Sequence, residues 1–394
     1  MTPAPGAARA RVAVTSVFLL NGLIMATWIS RIPAIRDSLG LSSSSLGLIL
    51  LAMSGGAVLA LPLTGAVVVR IGAAGTVRVA SVVCATGLLL VGLADSVAVL
   101  APGLFLVGFG SGSWDVAMNV EGAEVERRLG RAIMPHFHAA FSIGTVVGAL
   151  LGAWANAIDL STAAHLAAVA VVAAVLTQVA CGSFLPEAEV VEALTHDRPK
   201  ERRHPMQAWL EPRTLAIGLL VLAFAFTEGS ANDWLALAFR DGYDVSNAHA
   251  VLGFAVFVSS MTVGRLLGTR MLDRFGRVPV LRVTAALAAA GLLMVIIGGS
   301  VPVAVVGTVL WGLGASLGFP VGMSAAADDP EHAAARVSVV ASIGYTAFLA
   351  GPPLIGFLAD HVGVLRALYV VLGALVLGLL VVAAAREPIQ ERTP

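Results

Sequence analysis

Residues 283–327 read VTAALAAAGLLMVIIGGSVPVAVVGTVLWGLGASLGFPVGMSAAA, without a single Asp, Glu, Lys, Arg or His. A helix needs about 20 apolar residues to cross the hydrocarbon core of a bilayer. The run therefore holds two crossings, with Gly298-Gly299-Ser300-Val301-Pro302 as the turn between them. A soluble fold must cover its surface with polar groups and has no room for such a stretch. Residues 140–186 repeat the pattern: Asp159 and His165 are their only acid and base, and residues 156–162 supply the turn. Across the whole chain only 12% of residues are charged, against about 25% in soluble domains. This excludes a soluble, alanine-rich protein and requires an all-α integral membrane fold.

Working outward, twelve transmembrane helices are predicted, at 12–32, 45–69, 76–94, 97–119, 138–157, 163–185, 213–238, 248–270, 279–298, 302–326, 336–358 and 364–384. The first run is too long for a signal-peptide core and shows no cleavage site. The charged, Pro-containing stretch 187–212 reads as a cytoplasmic linker between two six-helix bundles, 1–186 and 213–394. With the N-terminus inside, only Arg31, Arg36, Arg240 and Arg366 of the 24 Lys and Arg fall in outer loops. Basic residues concentrate on the cytoplasmic side, so a multi-pass protein of the cell inner membrane with both termini cytoplasmic is expected. The 42 glycines suit close helix packing in lipid. Cys84 and Cys181 sit in apolar runs and read as small buried hydrophobes.

The halves repeat. Arg36-Asp37 matches Arg240-Asp241, Arg70 matches Arg274, Gly72 matches Gly276, and Arg78-Val79 matches Arg282-Val283. Gly108 and Gly110 match Gly312 and Gly314 at the same offset; Ser142-Ile143-Gly144 matches Ser342-Ile343-Gly344 at a slightly smaller one. Six helices per half put both repeats in the same orientation. That predicts a pseudo-two-fold 6+6 arrangement about the membrane normal, with a site between the halves near the midplane.

The loop after the eighth span reads Leu272-Asp273-Arg274-Phe275-Gly276-Arg277, and its counterpart is Val69-Arg70-Ile71-Gly72-Ala73. With the repeat, this resembles the major facilitator superfamily over nearly the whole chain, whose signature in this loop is Gly-x-Leu-Ala-Asp-Arg-x-Gly-Arg. The second copy keeps Asp273, Arg274, Gly276 and Arg277 but has Thr269 in place of glycine. The first has Val69 for the aspartate and Ala73 for the arginine. The resemblance implies an inner-gate lock carried by Asp273 and Arg277, with Arg70 and Arg274 as the basic pair of the loops. Gly110-Ser111-Gly112-Ser113-Trp114-Asp115 to Asn119, then His138 and Ser142-x-Gly144, are similar to helices 4 and 5 of fucose-permease-type sugar/proton symporters. There, a second acid lies on the first helix; here Asn21 to Trp28 offers Asn21 and no acid. Trp28-Ile29-Ser30-Arg31-Ile32-Pro33, Glu126-Arg127-Arg128 and Glu228 to Trp234 resemble a bacterial subgroup that includes a membrane protein linked to rhizopine, an amino-inositol compound.

Ionisable groups inside a span are costly and mark a pathway or a pair. Asp115 and Glu228 are therefore candidates for proton coupling, the alternative for Asp115 being a pair with Arg127 or Arg131. Gly108, Gly112, Asp115 and Asn119 share one helical face, as do Glu228 and Asn232. Asn21, Asn119 and Asn232 are candidates for hydrogen-bonding a hydroxylated solute. Trp28, Trp234 and Trp311 offer stacking surfaces for a sugar ring, with interface anchoring as the competing role for Trp28 and Trp234. Asp233 reads as an outer-gate residue with Arg31 or Arg240 in reach. Arg265 reads as a side chain that snorkels to the inner surface.

No enzyme constellation, phosphate-binding loop or metal-ligand spacing occurs in the sequence, so no catalytic residue, cofactor or metal is expected. Zero net charge gives no reason to expect nucleic acid. The expected partners are a small-molecule substrate, protons and the lipid bilayer, for a monomer. The expected function is secondary transport of a small polar solute of sugar, polyol or amino-cyclitol type by alternating access. An efflux pump for hydrophobic or cationic compounds is the alternative, although the Arg-x-x-Gln-Gly pattern of drug exporters is absent from the fourth span. A non-transporting sensor is the minor alternative.

Overall fold

The computed structural model describes residues 6–130, 133–185, 205–329 and 332–387. The linker expected at 187–212 lies outside the described residues up to 204; its end forms a short 3-10 turn, Pro205–Leu210. By contacts the chain divides into two compact units, residues 1–200 with 246–255, and residues 201–245 with 256–394.

In the first half α1 (Ala7–Ile29) continues into a short helix, Ile32–Ser38. The long helix Ser43–Gly92 is far beyond what one crossing needs and contains two, α2 and α3, divided at Gly72. Then follow α4 (Val97–Leu129), α5 (Met134–Ala157) and α6 (Thr162–Cys181). The second half holds α7 (Pro212–Tyr243), α8 (Asn247–Phe275), α9 (Arg277–Ile297), α10 (Val301–Ala326), α11 (Ala333–Val362) and α12 (Val364–Ala385). Among the described residues eleven helical stretches are long and apolar enough to cross a membrane, and the division at Gly72 makes twelve spans.

Both corners of the repeat are set by a glycine. Gly72 has φ 71° and ψ 169°, and Gly276 has φ 76° and ψ 167°. Such angles suit a residue without a Cβ, so the two loops turn at one residue rather than over the several expected. Packing repeats as well. In the first unit α1 packs on α5, and α3 on α4 and α6; in the second, α7 packs on α11, and α9 on α10 and α12. Glycines set these approaches. A Cβ on Gly108 would strike the Met53 carbonyl and one on Gly312 the Phe257 carbonyl. A Cβ on Gly110 would meet the backbone of Cys84, and one on Gly314 that of Ala288. Each of these pairs is displaced by the same 204 positions that the sequence repeat displays.

Two spans differ from their expected form. α4 runs ten residues beyond Asn119, because its inner end is a charged helix held by Glu124 to Arg127 and Arg128 and stopped by left-handed Gly130. Its counterpart α10 is interrupted at Ser316-Leu317 between Val301–Ala315 and Gly318–Ala326.

Candidate functional site

In the first unit the polar residues form a stripe along α4. Asn21 of α1 is 1% exposed; its Oδ1 accepts from Ser111 Oγ at 2.9 Å and its Nδ2 lies 4.0 Å from Met118 Sδ. Asn21 is thus held between α1 and α4 instead of presenting its amide openly. One turn from Ser111 is Asp115, an exposed side chain in the middle of an apolar span. Asn119 Nδ2 donates to the Asp115 carbonyl at 2.8 Å and to Asp115 Oδ1 at 3.2 Å. The bond fixes the carboxylate along the stripe and leaves the Asn119 Oδ1 for another donor. Arg127, the basic partner considered for Asp115, is taken by Glu124 at 2.6 Å; Arg131 lies outside the described residues. Gly108 and Gly112, on the same face, are pressed against α2 at Met53 and Ala57, so only the inner part of that face stays open.

In the second unit Glu228 of α7 meets Arg265 of α8, whose Nη2 donates to both carboxylate oxygens at 3.1 and 3.2 Å. Arg265 Nε also points to the Ser316 carbonyl, at 3.4 Å, where α10 is interrupted. The expected snorkelling of Arg265 is therefore overturned: a carboxylate within the span attracts the guanidinium more strongly than the distant surface does. Asn232, one turn on from Glu228, is partly exposed. Asp233 points elsewhere, into a narrow pocket formed with Ser230, Trp234, Phe348, Gly351 and Pro352, between α7 and α11. Within the first unit Arg31 donates to His165 Nδ1 at 2.9 Å, Asn156 Oδ1 at 2.8 Å and the Leu160 carbonyl at 3.0 Å.

Trp28, Trp114, Trp234 and Trp311 are fully buried. Interface anchoring of Trp28 and Trp234 is thereby corrected, since an anchor keeps its ring at the headgroups. Their indole N–H groups, and that of Trp311, make no hydrogen bond among the described residues. Trp311 instead packs edge-on against Phe257, with ring centroids 5.3 Å apart.

At the inner ends, Arg277 Nη1 donates to Asp328 at 2.7 Å, and Arg213 Nη2 to the same carboxylate at 2.7 Å. Asp328 was not among the expected gating residues; its position directly after the charge-free run was the available signal. Asp273 and Arg274 are exposed, with Arg274 over the Phe275 ring, and Arg70 is exposed in the first unit. Glu126 was also missed in this role: its Oε2 accepts from the Ile133 and Met134 amides, capping α5.

The profile of the Major Facilitator Superfamily matches residues 14–296 and 234–394. An uncharacterised transporter, y4wD, of Sinorhizobium fredii is 32% identical over 88% of this chain and 90% of its own length. An uncharacterised MFS-type transporter of Yersinia pestis is 33% identical over 96% of this chain and 95% of its own. The membrane protein MosC of Rhizobium meliloti is 26% identical, covering 92% and 87%. Among solved structures, the nucleoside transporter NupG superposes with a TM-score of 0.75 at 14% identity, covering 95% of this chain and 98% of that one. FucP in its outward conformation gives 0.62 at 14% identity, covering 96% and 98%. At these identities the structural matches speak for the fold alone.

Proposed function

This chain belongs to the Major Facilitator Superfamily, and we propose that it is a proton-coupled secondary transporter of a small hydroxylated solute. It is a multi-pass membrane transporter and not an enzyme. The proposal concerns its solute, its driving ion and its orientation. We place it in the inner membrane with both termini cytoplasmic, working by alternating access as a monomer. In this reading Asp115 and Glu228 take up and release the proton. Asn119 and Asn232 bind solute hydroxyls, Asn21 orients α4 through Ser111, and Trp28, Trp234 and Trp311 shape the apolar walls. Arg277 with Asp328 tightens the inner end of the second bundle, with Asp273, Arg274 and Arg70 on the adjoining loops.

The observation that carries this reading is the exposed Asp115 carboxylate inside an apolar span, bonded by Asn119. A carboxylate at that depth is unfavourable against lipid by about 2.5–3.5 kcal/mol, so an exposed one belongs to a wetted path. NupG and FucP share the fold, and the word nucleoside in the name of the first suits a polar, hydroxylated cargo.

The test is uptake into proteoliposomes under an imposed pH gradient, with solutes chosen from a thermal-shift panel of sugars, inositols, amino-inositols and lipophilic cations. Solute accumulation should follow the gradient in the wild type and lose that dependence in Asp115→Asn and in Glu228→Gln. Full gradient-driven uptake in both variants would discard the coupling residues. Stabilisation by cations alone would replace the polar solute with an exported cation.

A further inference from the structure

We propose that Arg265 is the receptor for a carboxylate on the transported solute, so that the cargo is a hydroxylated monoanion of sugar-acid type and Glu228 holds the guanidinium only until that anion arrives. The inference rests on the proton-coupled reading above and narrows its substrate class.

The geometry of the pair separates it from the three short ion pairs of the same bundle, although Arg336 to Asp329 and Arg277 to Glu387 stand at 3.1 and 3.9 Å. Arg277 to Asp328, Arg213 to Asp328 and Arg336 to Glu211 close to 2.7, 2.7 and 2.6 Å. Arg265 stays at 3.1 Å from Glu228 and uses a single nitrogen for both oxygens. The strongest form of such a pair has two parallel N–H bonds at about 2.7–2.9 Å. Here Nη1 makes no hydrogen bond among the described residues, and the Nε contact to Ser316 is long. The Arg265 side chain is also 31% exposed, within an otherwise apolar span. An accessible guanidinium with an unspent edge is ready to take a planar anion bidentately.

The surroundings fit such a ligand. Helical backbone is interrupted within a span only where protein or a wet cavity satisfies it, and α10 is interrupted at the residue whose carbonyl Arg265 approaches. Asn232 follows Glu228 by one turn and makes no hydrogen bond among the described residues, so its amide is available to a hydroxyl. Among the described residues of this unit, no other charge of α7, α10 or α11 competes at this level. α10 carries no ionisable side chain, and those of α11 are Arg336, Asp360 and His361 in its end turns and Tyr345 between. On α7, Asp233 is turned into its own pocket against α11. The balance of charge then assigns the stoichiometry. The resting pair is neutral; one proton on Glu228 frees one positive charge, which one monoanion neutralises again.

The experiment is a binding titration of the purified full-length protein, read by thermal shift and by tryptophan fluorescence. The probes are matched pairs: glucuronate against glucose, gluconate against glucitol, and glycerate against glycerol. At least one acid should bind more tightly than its neutral partner. Arg265→Gln should weaken that acid by about tenfold to a hundredfold and so bring it level with its neutral partner. Glu228→Gln, which removes the internal competitor, should strengthen it. The paired variant Glu228→Gln with Arg265→Gln leaves no lone charge and covers the case in which Arg265→Gln alone does not fold; it should bind acid and neutral partner alike. Acids that bind no better than their neutral partners, or whose binding Arg265→Gln leaves unchanged, overturn this inference while leaving the polar-solute reading intact. Binding of no probe, acid or neutral, removes both.

Discussion

The two bundles are built on one plan and charged on two. Gly72 and Gly276 make the same corner, and Gly108 and Gly312 admit the same backbone approach. Yet in the first bundle Asp115 is bonded, among the described residues, to Asn119, where the second carries an ion pair, Glu228 with Arg265. The inner loops diverge in the same way: Val69 and Ala73 occupy the places that hold Asp273 and Arg277 in the second copy, and Arg277 is bound to Asp328. The difference teaches which positions the fold itself requires. A glycine against a carbonyl has no substitute, whereas a charged residue at the same level can be replaced if its partner changes with it. Shared positions therefore report packing, and unshared ones report the work that each half does.

The largest effect that separates the halves is on stability. Arg265→Ala leaves the Glu228 carboxylate without its cation inside a span. Removing one member of a buried pair is strongly destabilising; with the partial exposure of this pair, about 2–3 kcal/mol is expected. Asp115→Asn removes no cation contact, keeps a hydrogen-bonding group and should stay within about 0.5 kcal/mol. Thermal unfolding in detergent compares the two directly, with Glu228→Gln plus Arg265→Gln recovering most of the first loss. An equally large loss in Asp115→Asn would make the two acids alike and dissolve the distinction.

A smaller effect tests what the halves share. Gly108→Ala and Gly312→Ala should each cost about 1–3 kcal/mol, the range for forcing atoms into a packed core. Gly65→Ala and Gly373→Ala are the controls, because a Cβ there meets nothing within 4 Å. Alanine is the better helix former by about 1 kcal/mol, so the controls should be neutral or stabilising. If only one of Gly108 and Gly312 is sensitive, the common scaffold is not common in energy.

The glycine pairs explain why so much of the fold was legible in the sequence. An apolar run of fixed length and a glycine at a fixed offset are local statements, and the bilayer makes them nearly sufficient. The break at Ser316 was not expected, although Pro320, which has no N–H for the Ser316 carbonyl four residues before it, marks it in the sequence. Nor was the pairing of Arg265, since α7 and α8 are joined by sequence but the register of one against the other is set by packing. The tryptophans misled for a related reason: residues near a span end are at the interface only if the helix face turns outward, and Trp28 and Trp234 turn inward. For the site, the sequence supplied the acids and amides, and the fold supplied which of them are engaged.

The smallest effect lies at the inner ends, and its sign follows from one carboxylate. Glu211, just before α7, accepts from Arg336 Nε at 2.6 Å and from Thr214 Oγ1 at 2.8 Å. The bond from Arg336 is the chief cause that holds Glu211 below the ordinary glutamate range, with Thr214 adding to it. A carboxylate whose folded value is depressed adds stability that is fully present above its unfolded value. That stability is lost as the pH falls through the folded value. The contribution is that of a largely solvated pair, at most about 1 kcal/mol. Unfolding measured across the acid range should therefore show a shallow loss of stability beginning near the ordinary glutamate pKa, about 4.3, on top of whatever other acids contribute. Arg336→Gln should remove that component and leave neutral-pH stability lower by the same small amount. In the first bundle, at the inner end of its fifth helix, Glu126 instead caps the backbone at Ile133 and Met134. Glu126→Gln should thus weaken a backbone cap, while Arg336→Gln changes the acid limb through a lost ion pair. A matching response from the two variants would mean that the inner ends of the bundles are held by the same interaction after all.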